Sequence, residues 1–155
     1  MAKRKSLKGD DCPVARSLDV IGDRWLLLIV RDAFDGMRRF GQFQKSLGVA
    51  RNILADRLHT LVEQGVFEVA PASDGSSYQE YVLTPRGEAL FPLLVGLRQW
   101  GEAQLFDPGE AHSTLVERAS GLALAPLTPR TPDGAPIGAG ATMVQKVERK
   151  VERKV

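Results

Sequence analysis

Residues 40–64 read FGQFQKSLGVARNILADRLHTLVEQ, two apolar stripes parted by a glycine. Phe40, Phe43 and Leu47 recur at helical spacing and mark a first short helix. Gly48 closes it, because glycine enters the left-handed region without a Cβ clash. A second helix covers 50–64, with Leu54, Leu58, Leu61 and Val62 on one face. Its other face carries Asn52, Asp56, His59 and Glu63, Arg51 stands at its entry, and Gly65 stops it. Such a polar-faced helix has a physical use. A helix about 11 Å across fits a major groove about 12 Å wide, and only in that groove do all four base pairs differ. The plainer alternative is an amphipathic helix whose polar face is merely solvated.

Downstream the period changes to two. Residues 66–69 (VFEV) and 78–83 (YQEYVL) read as strands, and the cluster at 71–77 around Asp74-Gly75 reads as a turn, giving a hairpin with a polar tip. Thr84 and Pro85 then read as the N-cap and first residue of a helix running to about residue 105. Leu90, Leu93, Leu94, Leu97 and Trp100 give it a broad apolar face, and Pro92 is expected to kink it.

Upstream, Cys12 and Pro13 read as the N-cap and first residue of a helix striped by Val14, Leu18 and Ile21, which Gly22 breaks. Asp23 caps a further helix through Phe34, whose WLLLIV run is apolar all round and belongs in a core. Past residue 107, segments 114–118 and 122–127 read as strands around Ser120-Gly121, followed by a proline-rich stretch with a turn at Asp133-Gly134. The terminal KVERKVERKV would align Val147, Val151 and Val155 on a helix but forms no favourable i,i+4 charge pair, so it reads as a frayed tail.

This order predicts an α+β winged helix-turn-helix, mainly helical with a two-stranded wing, plus a small β-rich C-terminal extension. The expected organisation is a basic arm at 1–11, the winged domain at 12–106, a loop and β extension at 107–145 and a charged tail at 146–155.

A length of 155 residues favours one domain with at most a small appendage. The formal net charge of +2 says little, but its distribution is uneven. Lys3, Arg4, Lys5 and Lys8 form a basic arm, while Arg38, Arg39, Lys45, Arg51 and Arg57 cluster within twenty residues. A single cysteine excludes an intramolecular disulfide framework and a cysteine-clustered zinc site. The longest apolar run, residues 25–30, is too short to span a bilayer, and residues 1–12 lack the apolar segment of a secretory signal, so a cytoplasmic protein is expected. His59 and His112 lack metal-ligand spacing, and no GxGxxG, P-loop or GxSxG element occurs. No enzyme, metal or cofactor is expected.

Residues 12–68, with YQEYVLTPRGEAL at 78–90 and LRQWGE at 97–102, resemble the HxlR-type winged helix-turn-helix transcription regulators, relatives of the MarR-like regulators. The shared features are the Cys-Pro start, I-G-x-x-W, D-G-x-x-R-F, L-x-x-R-L, E-Y-x-L-T and the late W-G, in order across residues 12–102. Gln79 departs from the pattern, standing where the family shows an apolar residue. The resemblance implies a homodimeric bacterial DNA-binding regulator paired through its first and last helices, and a repressor acting on double-stranded DNA is expected. Two-fold symmetry then calls for an inverted-repeat operator with half-sites one or two helical turns apart, about 34 Å per turn.

On that pattern the DNA-facing residues are Arg39 and Gln42 before the turn, Arg51, Asn52, Asp56, Arg57 and His59 on the recognition helix, and Ser76 and Ser77 at a wing tip near the minor groove. Arg51 suits a guanine edge or a phosphate, and Asn52 suits adenine. Arg57 either touches phosphate or buttresses the fold; Asp56 repels phosphate unless it orients an arginine or accepts from a cytosine amine. The dimer residues are Val14, Leu18, Leu90, Leu93, Leu94, Leu97 and Trp100, whose apolar surface exceeds what one small domain readily covers, although a bundled monomer could also hide it.

Cys12 sits where orphan amides and the helix dipole favour a thiolate, and the resembled family often places a redox- or electrophile-sensing cysteine there. The alternative is a small cysteine filling buried space. An oxidant or small-molecule effector is the remaining partner; no membrane is implied. The extension lacks the cysteines of a zinc-ribbon-like module. Two rival classes stay open: a winged-helix protein-interaction module without a DNA function, and a small-molecule enzyme.

Overall fold

The computed structural model describes residues 6–148; Lys3, Arg4 and Lys5 of the basic arm, and the repeat tail beyond Glu148, lie outside the described residues. The chain divides into two compact units, residues 1–98 and 99–155, with the division inside the last α-helix.

The first unit opens with α1 (Pro13–Ile21), with Cys12 in extended backbone at the N-cap and Pro13 at the first position. α2 (Arg24–Phe34) follows, its first turn held by the Asp23 carboxylate accepting from the Trp25 N–H at 2.8 Å. α3 (Phe40–Leu47) ends on Gly48 at φ +61, the left-handed turn the sequence requires, and α4 (Arg51–Glu63) starts three residues on. Leu26, Ile29 and Val30 of α2, Phe43 of α3 and Leu54, Leu58 and Leu61 of α4 meet Val66 and Phe67 in one buried cluster. At about 1.5–3 kcal/mol for each large side chain removed from water, this cluster fixes the angle at which α4 is held.

β1 (Phe67–Pro71) and β2 (Gln79–Leu83) form an antiparallel pair with Phe67 opposite Leu83 and Pro71 opposite Gln79. Gly75 at φ +74 allows the tip to turn. The Tyr81 N–H donates to the Arg38 carbonyl at 2.7 Å, so the loop before α3 adds an edge to the wing. Gln79 is exposed near the tip; inward packing comes instead from Tyr81, whose ring lies 6.5 Å from that of Phe67.

The expected long helix after Thr84 is two helices, α5 (Pro85–Glu88) and α6 (Phe91–Gln104). Thr84 does cap α5, accepting from the Gly87 N–H at 3.1 Å. Pro92 therefore lies in the first turn of α6, where a missing N–H breaks no internal bond, and the expected kink is a break ahead of it.

In the second unit, the expected strands at 114–118 and 122–127 meet only at a Val116–Ala123 bridge across the turn at Gly121, φ +70. A second bridge, Arg130–Pro136, spans Gly134. Pro129, Pro132 and Pro136 remove donors around this second bridge. The Gln99 amide donates to the Ala125 carbonyl at 3.0 Å and accepts from the Leu127 N–H at 2.7 Å, tying this segment to α6. A 3-10 turn, Ala139–Ala141, follows. No helix among the described residues is long and apolar enough to cross a membrane.

Candidate nucleic-acid interface

With Leu54, Leu58 and Leu61 buried, α4 turns Arg51, Asn52, Asp56 and His59 outward. The Arg51 guanidinium lies 4.9 Å from the centre of the Phe40 ring, stacked on the first residue of α3. Stacking orients the planar group and leaves its edge donors pointing to solvent. His59 Nε2 lies 3.2 Å from Glu63 Oε1, one turn on.

Arg57 stands apart from these. Its Nε and Nη2 reach Asp23 Oδ2 at 3.1 and 2.9 Å, and Nη1 pairs with Asp56. Arg57 thus ties α4 to the N-cap of α2, with Asp56 orienting it. Of its two sequence alternatives, buttress and phosphate contact, the geometry matches the buttress.

Arg39 and Gln42 are engaged in a similar way. Gln42 Oε1 accepts from the backbone N–H groups of both Arg38 and Arg39 at 2.9 Å and so caps the start of α3. Arg39 Nη2 pairs with Asp74 Oδ2 at 2.5 Å, its Nε lies 3.7 Å from Glu80 Oε1, and its guanidinium sits 5.5 Å from the Tyr78 ring. Hydrogen bonding from Ser76, through its N–H, together with that from Arg39, holds the Asp74 carboxyl well below the usual carboxylate range, and bonding to Asp74 raises Arg39 in turn. The Ser76 N–H donates to Asp74 Oδ1 at 3.0 Å, while Ser77 is exposed at the tip.

Glu80 was not among the residues singled out from the sequence. It is buried near the start of β2, accepts from Ser73 Oγ at 3.0 Å and faces Arg38 and Arg39. The available signal was an acidic residue alternating with aromatic and aliphatic ones on a strand, a position that asks for a cationic partner.

On the opposite helices, Cys12 is exposed, which removes the space-filling reading. Its N–H donates to Asp10 Oδ1 at 2.8 Å, and the Arg16 Nε donates to the Asp10 carbonyl. Val14, Leu18, Leu93, Leu97 and Trp100 are all exposed, whereas Leu90 and Leu94 pack against the core of their own chain. A cavity of ≈ 660 Å³ runs along α1, bordered by Val14, Leu18, Leu90 and Leu93 with Arg16 and Arg86 at its edge.

A helix, left-handed glycine turn, outward-facing helix and hairpin in this order define a winged helix-turn-helix protein. The model of the HxlR-like helix-turn-helix family matches residues 20–108, and the chain belongs to that family. It is 47% identical over 95 residues to Rv3095 of Mycobacterium tuberculosis, named an HTH-type transcriptional regulator; the match takes in 61% of this chain and 60% of that protein. The chain therefore spans about three fifths of the length of the mycobacterial relatives it matches. Among solved structures, it is 58% identical to PA1607, described as a candidate transcription factor, with a TM-score of 0.87 over 92% of this chain and 100% of that one. The redox regulator HypR in its reduced form is 28% identical, with a TM-score of 0.55 over 61% of this chain and 94% of HypR.

Proposed function

We propose that this chain is a sequence-specific DNA-binding transcription regulator, a cytoplasmic repressor that acts as a homodimer on an inverted-repeat operator. The observation that carries this reading is the start of α4, where Arg51 and Asn52 face outward on a helix locked from behind by three buried leucines and the Arg57–Asp23 pair. The names of its relatives and neighbours support the same class. Exposed Val14, Leu18, Leu93, Leu97 and Trp100 support pairing through the first and last helices, and the segment tied to Gln99 is a further surface for that pairing. The exposed Cys12 at a helix start, and the likeness to a redox regulator, support oxidant control, with the cavity along α1 as the site of a small-molecule alternative.

Selection of bound duplexes from a random library by the purified full chain tests the reading and is expected to return an inverted repeat. Arg51→Ala should then lower affinity for the selected duplex by about 1–3 kcal/mol, the range for one base-edge contact. A protein-interaction module would return no repeat and ignore the substitution.

A further inference from the structure

We propose that Arg38, which is absent from the predicted contact set, binds the phosphodiester backbone of duplex DNA and is held in place for that contact by the buried Glu80. The inference deepens the proposed function and rests on it.

Arg38 is pinned by its main chain on both sides. Its N–H donates to Gln42 Oε1 at 2.9 Å and its carbonyl accepts from the Tyr81 N–H at 2.7 Å, so the residue is fastened between the cap of α3 and strand β2. Its side chain is 52% exposed, with Nη1 3.6 Å from Oε2 of Glu80, whose own side chain is 5% exposed. At that separation the carboxylate attracts the guanidinium without forming a close hydrogen bond, and most of the five N–H donors stay available. Arg39 is the contrast: Asp74, Glu80 and Tyr78 surround its guanidinium, which makes it the joint of the wing. Arg38 is the free end of the same charged cluster.

The position of Arg38 gives the ligand. Arg38 lies in the loop ahead of α3, fastened to the edge of β2, and Phe40, two residues on, carries the stacked Arg51 of α4. When a helix start enters the major groove with a hairpin alongside, a loop that runs from the hairpin to the helix pair faces the sugar–phosphate backbone. A cation anchored to a loop there fixes register instead of reading sequence.

The test uses the full chain, a library-selected duplex and an unrelated duplex of roughly 30 base pairs, with affinity measured across a salt series. Arg38→Ala should reduce the slope of log affinity against log salt by about 0.9, the loss of one phosphate contact, and weaken binding about eightfold at 0.1 M salt. Both duplexes should be affected alike, and Arg38→Lys should restore the slope, because a phosphate accepts a point charge. Thermal unfolding of each variant confirms that it is folded. If the parent binds and Arg38→Ala leaves the slope unchanged, or harms only the selected duplex, or Arg38→Lys fails to restore it, the inference is overturned and the proposed function stands. If the parent ignores both duplexes at low salt, both are overturned.

Discussion

Replacing Gly87 with alanine should destabilise the domain at the base of the wing, at a cost set by one close approach. A Cβ built at Gly87 would stand 2.2 Å from the Val66 carbonyl oxygen and 2.9 Å from Leu83 Cδ2, so an ordinary contact needs a movement of more than an ångström. The carbonyl cannot yield freely, because it accepts from the Thr84 N–H at 3.1 Å at the base of the hairpin. Gly87 cannot yield either, since its N–H donates to Thr84 Oγ1, the cap of α5. Overpacking of this kind costs about 1–3 kcal/mol, and losing the cap adds about 1 kcal/mol. A total of about 3 kcal/mol corresponds to a fall in melting temperature of about 12–24 °C for a domain of this size. Circular dichroism on parent and variant measures it. Gly41→Ala is the control, because a Cβ there meets nothing within 4 Å, and a helical glycine replaced by alanine should leave stability unchanged or raise it by about 0.5 kcal/mol. A Gly87→Ala protein that melts within a few degrees of the parent would refute the reasoning.

The remaining predictions concern the wing, the pairing surface and Cys12. Asp74 titrates below its ordinary value when folded, so its stabilising contribution is complete above about pH 3.9 and is lost as pH falls further, through the folded value. Carboxyl shifts followed by NMR should stay flat from pH 8 to about 4, and a midpoint near 3.9 would contradict the Ser76 and Arg39 bonding. Leu93→Asp with Leu97→Asp should convert a dimer to a monomer in sedimentation equilibrium while leaving the helical spectrum intact, because both side chains are exposed in the single chain; an unchanged mass would remove these residues from the interface. Oxidant should alter DNA affinity in the parent and leave Cys12→Ser unaffected, and an equal response in both proteins would end the sensor reading.

Much of the fold is legible because its signals are local. Gly48 at φ +61, Asp23 over Trp25, Thr84 before Pro85 and Gly75 at the wing tip each act over a few residues, and the three leucines of α4 need only helical periodicity. The break before α6 was less visible. Pro92 inside an apolar helical pattern fits either a kink or a fresh start, and the Leu90 N–H donating to the Gly87 carbonyl, the bond of a tight turn, decides for the start. In the extension, β-prone residues on either side of Gly121 read as strands, yet they pair through a single bridge, which periodicity does not report. Nothing local in the sequence marks Gly87, because its reason lies in Val66, far from it along the chain.

The candidate site divides along the same line. Whether an arginine is available to an outside phosphate depends on the acids near it in space, and those come from distant parts of the chain. Asp23 reaches Arg57 across 34 residues, and Asp74 reaches Arg39 across 35. No local pattern reports such a meeting, so the sequence leaves Arg57 open between phosphate contact and buttress and does not show that Arg39 is paired. Folding separates the arginines into two kinds of work. Arg57 ties α4 to the N-cap of α2 and Arg39 ties the wing to α3, while Arg51 is stacked on an aromatic ring and, among the described residues, pairs with no acid. Neutralised arginines fix the distance between helix and wing, and the uncompensated ones can then meet a duplex whose grooves and phosphates are themselves at fixed spacing.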